Sequence, residues 1–565
     1  MKKFSELPYE RPDIAKLKEK SDELLKRFNE ADSFEMQNEI MKEINKMRNH
    51  ISTVSTIASV RHSIDTRDKK YDEENTFYDQ NSPLLQEMTT DYYKALNNSK
   101  FKEQLKEKWG NLIFDIAHLE IKTFSKEIMD DLKKENELVT NYQKLTSGAK
   151  IMFKGEERNL SGMTPFMQDK DRTVRKEASN ALFGFFTENE KEFDDIYDQL
   201  VKVRTSIAKK LGYDNFVQLA YDRLTRSDYG PKEVANYRKQ IHEQVVPFAT
   251  ELRKRQAERI GVDKMKFYDE SLKFSSGNAT PKGEPKFIVQ AAKNMYHEMS
   301  QETGEFIDMM LENELMDLET KKGKRPGGYC TFLPDYGVPF IFSNFNGTSH
   351  DVDVLTHEAG HAFQSYMSRH HELPEYQWPT LEACEIHSMS MEFFAWPWME
   401  SFFKEDTEKY KFSHLAESLL FLPYGVAVDE FQHFVYENPE ATPKQRKEKW
   451  SEIEKKYLPH RDYDGIEHCE NGGLWQKQLH IYCVPFYYID YTLAQVCAFQ
   501  FWKKSLDNRE TAWEDYLRLC KAGGSKSFVD LVKHANLKSP FEDGCLASVM
   551  GEIRKWLDGV DDKKL

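Results

Sequence analysis

The chain has 565 residues and a formal net charge of −15, with 39% hydrophobic and 13% aromatic residues, ample for a large core. With 31% charged residues and a mean hydropathy of −0.74 it reads as a soluble globular protein. No basic tract offsets the acidity, which excludes a general nucleic-acid or anionic-membrane binder.

No window has the apolar length of a membrane span. The N-terminus, MKKFSELPYERPDIAKL, has two lysines but no apolar run behind them, so a signal peptide is not expected. Seven scattered cysteines form no CxxC pair and read as buried, reduced thiols of a cytoplasmic protein.

Helical periodicity dominates from the start. Residues 11–31 space Ile14, Leu17, Leu24, Leu25 and Phe28 for one helix face, and further helices are expected around 34–64, 82–107 and 111–145. Residues 146–162 read as a small hairpin turning at Lys154–Glu157. Helices then run to about 260, followed by a Gly/Pro/Ser-rich junction at 272–287 and another helical stretch at 288–319. Residues 325–350 alternate aromatic and small residues, which predicts one or two short strands, and helices return after 350. The expected organisation is an N-terminal helical lobe at 1–110, a helical segment with the hairpin at 111–200, and a catalytic region at 201–565. If the strand in GVPFIFSNFNG (337–347) has a free edge, it could pair with an extended peptide.

The chemistry concentrates in LTHEAGHAFQ (355–364). A helix capped by Thr348 or Ser349 and starting near His350 puts Asp353, His357, His361 and Gln364 on one face. The two imidazoles then stand about 6 Å apart along the axis, close enough to share one metal ion. Glu358 is rotated about 100° from His357, which suits a proton acceptor beside the metal better than a ligand. The small Gly360 suggests that neighbouring backbone approaches closely. By composition alone an H-E-x-x-H string arises in roughly one such chain in twenty, so a further ligand is required.

WPTLEACEIHSMSMEFFAW (378–396) supplies candidates. With Pro379 in the first turn of a helix, Glu382, Glu385, Met389 and Glu392 line one stripe. Carboxylates on so apolar a helix need a positive partner. Glu385 is the expected ligand, Glu382 an alternative ligand or supporting acid, and Glu392 a support or substrate contact. Asp353, one turn before His357, is the expected acceptor for an imidazole N–H. In VPFYYIDYTL, Pro485 can open a helix on which Tyr487 or Tyr488 shares a face with Tyr491.

HEAGH followed 28 residues later by the glutamate of CEIHSMSME resembles the thimet-oligopeptidase group of zinc metallopeptidases, and more closely its oligoendopeptidase F branch, some members of which are called Pz-peptidases. The similarity continues in GGLWQKQLHIYCVPFYYIDYTLAQ (472–495), FSNFNGTSHDVDVLTHEAGHAF (342–363) and VRTSIAKKLGYDNFVQLAYDRLTRSDYG (203–230). The resemblance implies a mainly α, two-lobed helical body with a deep substrate channel and a small β element beside the zinc helix. It implies one Zn2+ per chain on His357, His361 and Glu385, with Glu358 as general base. Tyr491 matches the transition-state tyrosine, and His480 and Tyr488 are further catalytic candidates, although His480 stands one residue closer to Tyr491 than in thimet-type members.

The function expected from this is hydrolysis of internal bonds in short, unstructured oligopeptides. The alternatives are a metallocarboxypeptidase on a similar helical scaffold and a non-catalytic helical peptide-binding protein. No nucleic-acid or membrane partner is expected, and the oligomeric state is left open, with a monomer allowed.

Overall fold

A computed structural model describes residues 2–565. The described residues are mainly helical, with one hairpin and one three-stranded sheet among them. The first helices are α1 (Ile14–Glu30), α2 (Phe34–Ile64) and α3 (Lys69–Asn97). Each begins on a side-chain cap: Asp13, Ser33 and Asp68 accept from backbone N–H groups of the first turn. Helix α3 starts well before the expected residue 82, because Asp68 caps it and Pro83 is carried inside the helix. The expected helix at 111–145 is broken between Lys122 and Met129.

These helices have a core of their own, built from residues such as Leu24, Phe28, Ile40, Leu96 and Phe114 and closed by Leu373 and Tyr376 from much later in the chain. The docking is also polar. Arg48 pairs with buried Glu375 at 2.7 Å, and Tyr93 donates to the same carboxylate at 2.6 Å. A larger core spans the rest of the molecule.

The expected hairpin forms from β1 (Ile151–Phe153) and β2 (Glu156–Arg158). The sheet contains β3 (Met316–Glu319), β4 (Tyr329–Leu333) and β5 (Val338–Phe345) in the order β3-β5-β4. Strand β3 corrects the helical reading of 313–319: it pairs parallel to β5 through Met316 and Ile341. The order also corrects the edge assignment. Strand β5 is central and paired on both sides, while β4, antiparallel to it, lies at the edge. Burial explains this, since seven of the eight β5 residues are buried and β4 is mostly half-exposed.

After the sheet come α4 (His350–Ser368), α5 (Leu381–Phe394), α6 (Thr407–Glu437) and α7 (Tyr488–Asp507). Pro379 and Pro485 both fall before their helices rather than inside the first turn.

Candidate metal centre

Helix α4 does not use the expected cap. Ser349 makes no capping hydrogen bond; Asp351 instead accepts from Asn346 N and Gly347 N, both at 2.8 Å, tying the helix back to the end of β5. Gly360 has the role its size suggests. A Cβ there would lie 2.6 Å from His387 O and Ser388 Cα, so only glycine lets α4 and α5 meet at this distance.

That contact brings Glu385 to the two histidines. His357 Nε2 and His361 Nε2 lie 3.2 and 3.4 Å from Glu385 Oε2. Candidate ligand atoms of all three residues fall within 4.8 Å of one another. A tetrahedron with zinc–ligand bonds of ~2.0–2.1 Å has an edge of about 3.3 Å, so the set fits an ion of that size and N/O preference.

Each donor is supported differently. His357 Nδ1 lies 2.7 Å from Glu392 Oε1. Glu392 therefore holds the imidazole, in place of Asp353, which accepts from Tyr410 Oη at 2.7 Å. His361 Nδ1 is buried without a protein partner. Glu385 accepts from Tyr487 Oη at 2.5 Å and Ser388 Oγ at 2.9 Å. Burial alone would raise the Glu385 carboxyl, but His361 and His357 hold it well below the usual range. Burial likewise opposes ionisation of Glu392, and its hydrogen bonds from His357 and His414 bring it down to about 2.

Glu382 points elsewhere and is not among the residues whose donor atoms converge. It accepts from Tyr229 Oη at 3.1 Å and lies in a buried cluster with Arg226 and Asp490. Arg226 donates to Asp490 Oδ1 at 2.5 Å and to Phe486 O at 2.6 Å. Phe486 adopts a left-handed φ of +66°, and Gln432 Oε1 accepts from its N–H at 2.8 Å. The turn that leads into α7, and so the position of Tyr487, is pinned from both sides.

The centre lies in a cavity of about 970 Å³. One wall comes from α2 and α3, including Arg48, Ser52 and Tyr92; the other is β4, His357, Glu358, His361, Glu385, His480, Tyr487 and Tyr491. Glu358 is 7% exposed, and burial raises its carboxyl pKa against the pull of His357 and His361. A Cβ on Gly328, which precedes β4, would sit 3.4 Å from Glu358 Oε1, so this edge runs directly past the acid.

Opposite stands a polar chain. Tyr424 donates to Gln478 Oε1 at 3.0 Å, which turns the Gln478 amide nitrogen toward His480 Nδ1 at 2.8 Å. His480 Nδ1 is then an acceptor and its Nε2–H faces Tyr491 Oη at 3.3 Å. Burial lowers the His480 pKa to about 4, keeping it neutral. Tyr491 Oη is then the acceptor of this bond, and it also lines the cavity beside Tyr487. Tyr488 packs behind this chain, against His480, Phe421 and Tyr424. Tyr487, one turn before Tyr491, was visible in the spacing as an alternative to Tyr488, and it is the one that reaches Glu385.

A family model described as Peptidase family M3 matches residues 165–551, and one described as the peptidase M3 N-terminal domain matches residues 4–124. The chain is 59% identical to a solved structure of Pz peptidase A with inhibitor 2, covering 99% of this chain and 100% of that one with a TM-score of 0.98. It is 22% identical over 418 residues to oligopeptidase PepF of Bacillus subtilis (strain 168), covering 69% of this chain and 59% of the relative. It is 24% identical over 399 residues to an oligoendopeptidase F homolog of Borreliella burgdorferi, covering 67% and 65%. The matched stretches thus span less than two thirds of these two curated relatives. The chain belongs to peptidase family M3.

Proposed function

We propose that the protein is a zinc-dependent oligoendopeptidase that cleaves internal bonds of short, unstructured peptides, with one zinc per chain on His357, His361 and Glu385. The observation that carries this reading is the convergence of these donor atoms within 4.8 Å at the wall of a large cavity. The names of the relatives above agree with it and give the carboxypeptidase alternative no support.

When bound, zinc supplies Lewis acidity, lowering the pKa of a coordinated water and polarising the scissile carbonyl. The remaining steps belong to the chain. Glu358 accepts the proton released by the attacking water and returns it to the leaving amine. Tyr491, with its O–H left free by His480, donates to the oxyanion as negative charge develops there. Tyr487 holds Glu385 in place, and Tyr488 packs the His480 ring in position. The β4 edge is the natural place for an extended peptide to add main-chain hydrogen bonds, which favours a broad sequence range. A cavity of about 970 Å³ suits a short extended peptide better than a folded domain. Seven unpaired cysteines favour a reducing, cytoplasmic setting.

The test is mass spectrometry of a pool of peptides blocked at both ends, with and without chelator. Internal cleavage that disappears with chelator is expected. Cleavage restricted to peptides with a free C-terminus would favour a carboxypeptidase, and intact peptides in the presence of zinc would reject hydrolysis.

A further inference from the structure

Beyond Glu392, the support of His357 continues for two more residues. Trp396 Nε1 donates to His414 Nδ1 at 3.1 Å. His414 Nε2 lies 2.7 Å from Glu392 Oε2, and Glu392 Oε1 lies 2.7 Å from His357 Nδ1. An indole N–H is a donor only. Its direction therefore settles the rest of the chain: His414 Nδ1 carries the lone pair, its Nε2 carries the hydrogen, and Glu392 receives that hydrogen on one oxygen. The other oxygen accepts from His357 Nδ1–H, which leaves the Nε2 lone pair of His357 directed at Glu385 and His361.

His414 has little room to turn. Tyr410 stacks on it at 5.6 Å, Phe393 meets it edge-on at 4.7 Å, and Trp396 closes the third side at 5.8 Å. All of these residues are buried or nearly so. Nothing comparable stands behind His361, whose Nδ1 has no protein partner.

We infer that Trp396 and His414 are positioning residues for the metal: through Glu392 they fix the tautomer and orientation of His357, so an indole three hydrogen bonds away sets metal affinity. This rests on the zinc reading above. An acid that orients a ligating imidazole typically changes affinity roughly 10- to 100-fold when it is disturbed. His414→Leu removes the donor to Glu392 and is expected within that range. Trp396→Phe keeps an aromatic ring, though a smaller one, but frees the His414 tautomer, and falls at the lower end of that range. His414→Gln returns an amide N–H near the Nε2 position and recovers most of the loss.

The experiment is competition for zinc between the full-length, zinc-depleted protein and a chromophoric chelator, with melting of each zinc-free variant as a control for packing. Wild-type affinity in both His414→Leu and Trp396→Phe would overturn the inference, as would a His414→Gln variant no tighter than His414→Leu. If His414→Leu does not fold, Trp396→Phe alone decides between the tenfold scale of loss and none. Failure of the wild type to bind zinc would instead reject the underlying metal reading.

Discussion

Helix α5 carries two buried glutamates one turn apart, Glu382 at 1% and Glu385 at 3% exposure. Around Glu385 stand two imidazoles, a tyrosine and a serine. Around Glu382 stand a tyrosine, a guanidinium and a second carboxylate. At one end the acid is held ionised and ready to ligate. At the other, burial raises both Glu382 and Asp490 against a single Arg226. The same residue type on the same helix thus serves a reactive centre and a structural one, and what separates them is the partner that each faces.

Substitutions can break that distinction in order of size. Glu385→Gln or His361→Ala is expected to abolish both stoichiometric zinc and hydrolysis, read by metal analysis and peptide cleavage. Glu358→Gln retains zinc while kcat falls roughly 10²- to 10⁴-fold, the usual scale of a lost general base. Tyr491→Phe keeps zinc and KM and lowers kcat about 10²-fold, on the scale of one oxyanion donor. At the structural end, Arg226→Met is expected to cost about 3 kcal/mol in denaturant unfolding, because two buried acids lose the cation that faces them.

Glu382→Gln is the smallest. It leaves zinc stoichiometry at the wild-type level and acts mainly on pH dependence. The folded pKa of Glu382 is raised, so its contribution is fully present below the unfolded carboxyl value and declines as pH rises through the folded one. The amide variant removes that decline, which stability curves from pH 4 upward would register. Loss of zinc in Glu382→Gln, or its retention in Glu385→Gln, would reverse the assignment of the two acids.

The stripe Glu382, Glu385 and Glu392 was legible in the sequence because period 3.6 places them together. The sequence already favours Glu385 as the ligand; what it does not show is what seats the two acids, α4 crossing α5 at Gly360 and Arg226 arriving from elsewhere in the chain. Glu392 takes the imidazole N–H expected for Asp353 for the same reason: spacing identifies a neighbour one turn away but cannot see a closer one on another helix. The mainly helical body and the sheet before α4 are readable from periodicity, whereas β3 hides in a helical stretch and the central place of β5 does not show, because pairing order is a tertiary property. Tyr487 reaches Glu385 through a turn with positive φ at Phe486, which no periodicity announces. His414 lies two hydrogen bonds and Trp396 three from His357, on a chain that runs between helices and that no spacing reveals.

The most direct measurement is a zinc titration of the metal-depleted protein with a doubly blocked, internally quenched peptide, run in parallel on wild type and Glu358→Gln. Wild-type hydrolysis should rise with zinc and saturate at one equivalent, while Glu358→Gln binds the same equivalent and leaves the peptide essentially intact. Hydrolysis without metal, or undiminished hydrolysis by Glu358→Gln, would contradict the account.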